Sequence, residues 1–125
     1  MSNKPPAPPA PKRGDVWRVN FDPTLGTEIQ KTRPALIIQN VVSNRLSPVT
    51  IVAPITSTVR FQLNPVHVLL GADHATGLSV VSVAVLNQTR AVDRLRLMRR
   101  LGAVDRETME RVDEAIKISL GLVQL

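Results

Sequence analysis

The 125-residue sequence has no cysteine and no tyrosine, one tryptophan (Trp17), two phenylalanines (Phe21 and Phe61) and two histidines (His67 and His74). Without a thiol, a disulfide framework, a thiolate zinc site and cysteine nucleophilic catalysis are all excluded. Two histidines are too few for a histidine-rich metal site, and any Ser–His catalysis would rest on one of them. So few rings also rule out an aromatic platform on which bases could stack. Long apolar runs are missing as well. The longest, Val80 to Leu86, is broken by Ser82 and falls well short of the ~20 residues of a membrane-spanning helix. Near the N-terminus Lys4 is followed by Pro5-Pro6-Ala7-Pro8-Pro9-Ala10-Pro11, which is no signal-peptide core. The expectation is a soluble, cytoplasmic chain.

What the sequence does hold is organised in three parts. Five of the ten prolines fall in residues 1–12. Proline fixes φ and has no N–H, so this stretch reads as a disordered, extended leader. Residues 13–125 then form one domain. From Arg13 to about residue 92, short β-type runs alternate with Pro, Gly, Asn and Ser. In the first, Asp15 to Phe21, Trp17, Val19 and Phe21 share one face, and Arg18 and Asn20 the other. A long loop covers Asp22 to Thr32. Pro34 to Gln39 reads as a central strand, followed by Val49 to Ile55, Val66 to Leu70 and Ser79 to Leu86. Pro54 cannot donate to a ladder, which predicts an edge or a bulge just before Thr56. The period then changes: Met109, Val112, Ile116, Leu120 and Val123 recur at helical spacing. One amphipathic helix is expected from Asp105, its N-cap, to Gly121.

Charge follows the same division. Residues 105–125 carry three basic and five acidic groups, a net −2, whereas the remainder carries 13 basic and five acidic, a net +8. A β body of that charge attracts polyanions.

The residues that carry chemistry lie at strand ends. Arg33 joins a polar loop to an apolar strand, and Pro34 holds its backbone extended. A guanidinium so fixed suits bidentate phosphate binding; an ordinary ion pair with Glu28 or Asp15 is the equal alternative. Thr56, Ser57 and Thr58, with Arg60 after them, offer hydroxyls at the end of the third run, although such clusters commonly serve turns. His67 is expected to pack or face solvent, His74 has no motif around it, and the arginines at 90, 94, 96, 99 and 100 read first as a solvated edge.

The order and spacing of RGDVW, FDPTLGTE, TRPALIIQN, IVAPIT and QTRAVD, closed by the terminal helix, resemble the MazF/PemK toxins of bacterial toxin–antitoxin pairs. The resemblance runs from Arg13 to the C-terminus. It implies a mainly β chain with a C-terminal helix: an SH3-like small β barrel of the CcdB/MazF type, working as a homodimer. It further implies a sequence-specific endoribonuclease that cleaves single-stranded RNA without metal or other cofactor. Attack by the ribose 2′-OH would leave a 2′,3′-cyclic phosphate and a 5′-OH. A cognate antitoxin would hold it inactive with an acidic tail over the basic groove. The family's catalytic Arg falls on Arg33, its strand-end Thr on Thr56, and its Gly-x-Glu loop on Gly26 and Glu28.

Arg33 then suits stabilisation of the phosphorane, with Thr56 donating from the other side. The family also gives this Arg an acid or base role, which strains the chemistry because a guanidinium keeps its proton. Glu28 is the carboxylate candidate for the base, with a structural pairing to Arg33 or Lys31 equally open. Thr27, Gln30, Lys31, Ser57, Arg60 and Gln88 are the candidates for RNA contact. Lys31 and Arg60 would meet phosphates and Gln88 a base edge. Two other readings remain at this point: a non-catalytic, gyrase-directed poison like CcdB, and a small-barrel interaction module.

Overall fold

The computed structural model describes residues 10–21, 32–57 and 64–124. Seven strands and two helices follow in the order β1 (Asp15–Asn20), β2 (Thr32–Ile37), α1 (Val41–Leu46), β3 (Val49–Thr56), β4 (His67–Leu70), β5 (Ser82–Val85), β6 (Arg90–Asp93), β7 (Leu97–Ala103) and α2 (Arg106–Ser119). All pairings are antiparallel, in the order β4-β5-β3-β2-β1-β7, with β6 also on β3.

Chain connectivity makes this sheet curl. β6 lies on β3 and β7 on β1, so in a flat sheet the four spacings between them would amount to about 19 Å. Only a three-residue 3-10 turn, Arg94–Arg96, joins them, and at ~2 Å per residue it cannot cover that distance. The sheet therefore rolls until its ends approach, which is the small-barrel shape, although no ladder closes it among the described residues.

The roll gives β1, β2 and β3 two buried faces. Val16, Leu36 and Ala53 pack with β4, β5 and the α2 residues Val112 and Ala115. Val19, Ala35, Ile37 and Val52 pack with Val92 on the other side, where Trp17, Phe21 and Leu97 complete the layer. Each fully buried Val or Leu contributes about 1.5–3 kcal/mol. The grouping of Trp17, Val19 and Phe21 expected from alternation is the grouping found.

Helix α2 begins at Asp105, whose side chain accepts from the Thr108 N–H at 2.8 Å. Thr108, through its hydroxyl first and then its N–H, bonds the charged form and holds the Asp105 carboxyl below its ordinary 3.8. Asn40 caps α1 in the same manner. Inside α1, Asn44 is fully buried and satisfied: it accepts from Gln39 Nε2 at 2.9 Å and Thr50 Oγ1 at 2.7 Å, and donates to the Gln39 carbonyl.

Several expectations need correction. Pro54 marks neither an edge nor a bulge: β3 is central, paired to β2 through Pro54 itself. It sits where the other side of β3 changes partner, from β6 at residues 49–52 to β5 at residues 55–56, so its missing N–H falls at a seam. The arginine run from 90 to 100 is β6, the turn and β7, and several of its side chains are bonded. Arg94 donates to the Asn44 carbonyl, Arg96 to the Asn20 carbonyl, and Arg100 to Asp15. Pro11, read as leader, is fully buried, and the Lys12 N–H donates to the Asp15 carboxylate.

Candidate nucleic-acid interface

Arg33 and Thr56 meet because of strand register. Leu36 faces Ala53 and Ala35 faces Pro54; continuing that register by two residues sets Arg33 opposite Thr56. Both line one cleft of about 420 Å³, together with Arg18, Thr32, Pro34, Ser57, Ser79 and Ser82. Arg33 lies within β2, in the extended conformation that Pro34 demands, with its side chain exposed. Thr56 ends β3, half-buried, and Ser57 follows it exposed.

The far wall of the cleft, Leu78, Ser79 and Val80, belongs to the loop before β5, and two glycines anchor that loop to β7. Gly77 has φ +70, and a Cβ there would sit 2.0 Å from the Leu101 carbonyl oxygen. A Cβ on Gly102 would sit 2.1 Å from the Ala75 carbonyl oxygen. Only glycine permits this approach of backbone to backbone. Ser82 is buried, and its hydroxyl donates to the Val80 carbonyl at 2.9 Å, which fixes the wall from the strand side.

Among the described residues the cleft is one-signed, lined by two arginines and several hydroxyls and by no carboxylate. Asp15, one proposed partner for Arg33, is taken by other groups: its carboxylate accepts from Trp17 Nε1 at 3.2 Å and Arg100 Nε at 3.2 Å. Among the described residues no acid pairs with Arg33. A second, larger groove between β4 and α2 has the opposite character, with Glu107, Glu110 and Glu114 in its lining beside Arg111 and His67. An anion is drawn to the first and not to the second.

The profile of PemK-like, MazF-like toxins of type II toxin–antitoxin systems matches residues 12–120. The chain belongs to that family. It is 42% identical over 112 residues to endoribonuclease EndoA of Bacillus subtilis (strain 168), covering 90% of this chain and 96% of that protein. Among solved structures it is similar to the Mycobacterium tuberculosis toxin MazF-mt6, with a TM-score of 0.73 and 27% identity over 88% of this chain and 99% of that one. A MazE–MazF crystal structure from Deinococcus radiodurans gives 0.69 at 25% identity, over 91% and 99% of the two chains.

Within this MazF-like chain the other expected site residues separate. Gly26, Thr27, Glu28, Gln30, Lys31, Thr58 and Arg60 lie outside the described residues. Gln88 is described, exposed in the 3-10 turn Leu86–Gln88 after β5, and does not line the cleft. His67 and His74 do not line it either. Arg18 lines it and escaped the sequence reading. Its only signal there was its place on the polar side of β1, which says nothing of the strands beside it.

Proposed function

We propose that this chain is an endoribonuclease toxin of the cytoplasm that cuts single-stranded RNA at short sequences, without a metal ion, as a homodimer. Its cognate antitoxin covers the positive cleft with an acidic tail. The observation that carries this reading is that Arg33 and Thr56 line one cleft, in which no carboxylate stands among the described residues. A gyrase-directed poison or an interaction module has no need of that pair, and the similarity to a protein named an endoribonuclease points the same way.

The reaction needs no nucleophile from the protein. The 2′ oxygen of the ribose bonds to the adjacent phosphorus, its proton leaves to a base, and the bond from phosphorus to the 5′ oxygen breaks as that oxygen takes up a proton. Negative charge gathers on the equatorial oxygens of the phosphorane, where donors held in place beforehand have their greatest effect. Arg33 supplies two such donors on one plane, and the Thr56 hydroxyl a third from across the ladder. Glu28 is the candidate base. Ser57 joins Thr27, Gln30, Lys31 and Arg60 as candidate RNA contacts.

The test is a substrate with a 2′-deoxy nucleotide at the scissile position. Cutting there should stop while neighbouring sites are still cut. Continued cleavage at the deoxy position would overturn the transesterification route.

A further inference from the structure

We infer that Arg18 and Arg99 form a phosphate clamp beside the reacting centre, gripping a single backbone phosphate of the RNA. The inference rests on the ribonuclease reading above and extends it to two residues of β1 and β7.

The grounds are register and the distribution of partners. Arg18 stands directly opposite Pro34 on one side and Arg99 on the other. Directly opposed residues on antiparallel strands have their Cβ atoms ~5 Å apart and point to the same face. Two guanidiniums are thus held side by side, an arrangement that repels itself unless an anion lies between them. Among the described residues, no carboxylate answers either one.

Most of the other described arginines are engaged. Arg13 pairs with Asp113 and Arg100 with Asp15. Arg106 pairs with Glu110 and Arg111 with Glu107. Arg94 and Arg96 hold backbone carbonyls, and Arg90 lies over the Phe21 ring. Arg18 and Arg33 line the cleft, with no acid in its lining among the described residues, and Arg99 stands beside Arg18 on the edge strand β7.

Geometry also sets the division of labour. Arg33 is one strand from Thr56, whereas Arg18 and Arg99 lie one and two strands farther along the sheet. Arg33 stands opposite Val19, on the other face of the ladder from the Arg18–Arg99 pair, so a phosphate held between Arg18 and Arg99 is distinct from the scissile one, and the pair positions the strand and carries no base information.

The experiment uses the full chain and a fluorescein-labelled, fully 2′-O-methylated single-stranded RNA of mixed sequence. Affinity is measured from low to moderate salt for the wild type, Arg18→Gln, Arg99→Gln and the double variant. Each neutralised phosphate on a single strand contributes a slope of about 0.7 in log K against log salt. The double variant should lose about one such unit. Each single variant should bind the probe several-fold more weakly, and cut positions on a long RNA should stay where they are. The melting temperature should hold or rise, since like charges have been separated; a fall would mark both residues as structural and overturn the clamp. An unchanged slope in the double variant overturns it too. So does a loss of two units, which would mean two phosphates, or a shift of cut positions, which would mean base reading. If the methylated probe is cut, or the wild type leaves long RNA intact, the ribonuclease reading itself fails, and the slopes still decide the clamp.

Discussion

The two ends of strand β1 use the same residue type for opposite purposes. At its start, Arg13 and Arg100 each find a carboxylate, Asp113 and Asp15, and the buried Asp15 also accepts from Trp17 Nε1 and the Lys12 N–H. A few residues later, Arg18 and its neighbours Arg33 and Arg99 find none among the described residues. A cation that the fold itself uses is neutralised and fastened. One kept for a ligand is held by its backbone, by Pro34 and by strand register, with its charge left available. The difference separates residues whose loss should unfold the chain from residues whose loss should silence it.

Arg33→Ala attacks the functional end and should have the largest effect. Cleavage should fall by ~10²–10³, and the stability read from urea denaturation should move by no more than about 0.5 kcal/mol, as for an exposed side chain. Asp15→Ala attacks the structural end. It strands the Trp17 Nε1 donor and the Lys12 N–H, and should lower stability by about 1–3 kcal/mol while the folded fraction keeps its cleavage rate. If the two variants exchange outcomes, the comparison is wrong.

Gly102→Ala couples the ends. The new methyl meets the Ala75 backbone, which should cost about 1–3 kcal/mol and also displace the wall formed by Leu78–Val80, so stability and cleavage fall together. A stable, fully active Gly102→Ala would show that this contact does not set the cleft.

The smallest effect belongs to Asp105, far from either set. Its folded carboxyl titrates below 3.8. Its contribution to stability is therefore complete above that value and is lost as pH falls through the lower folded value. Helicity measured by circular dichroism on acid titration should show this step. It should be missing in Asp105→Asn, which keeps an acceptor at the cap without the charge.

What could be read in the sequence was whatever depends on short-range pattern. Alternation in β1 and short apolar runs between Pro, Gly, Asn and Ser located β1 to β5 to within a few residues, and helical spacing with an Asp cap located α2. α1 was invisible because its six residues include Val41 and Val42, poor helix formers, and its stability comes from the Gln39–Asn44–Thr50 network across sequence. β6 and β7 were hidden by their arginines, and β7 also by two register irregularities against β1. Arg33 and Thr56 were singled out by a proline, a strand end and the family resemblance together, and both line the cleft. Arg18 and Arg99 were not, since only the pairing of three strands brings them together. Gln88 was chosen for the chemistry of its amide and for the resemblance, neither of which gives its position, and the turn after β5 holds it exposed and outside the cleft lining.

If Arg33, which no acid pairs among the described residues, stabilises the reacting phosphate, cleavage of RNA must depend on it. The most direct measurement incubates the pure protein with a long RNA in EDTA, maps the new 5′ ends and identifies the termini by mass. Fragments ending in 2′,3′-cyclic phosphate and beginning with 5′-OH, formed by the wild type and lost in Arg33→Ala, are the predicted result. Intact RNA at protein concentrations that arrest growth, or the same fragments from Arg33→Ala at the wild-type rate, would contradict it.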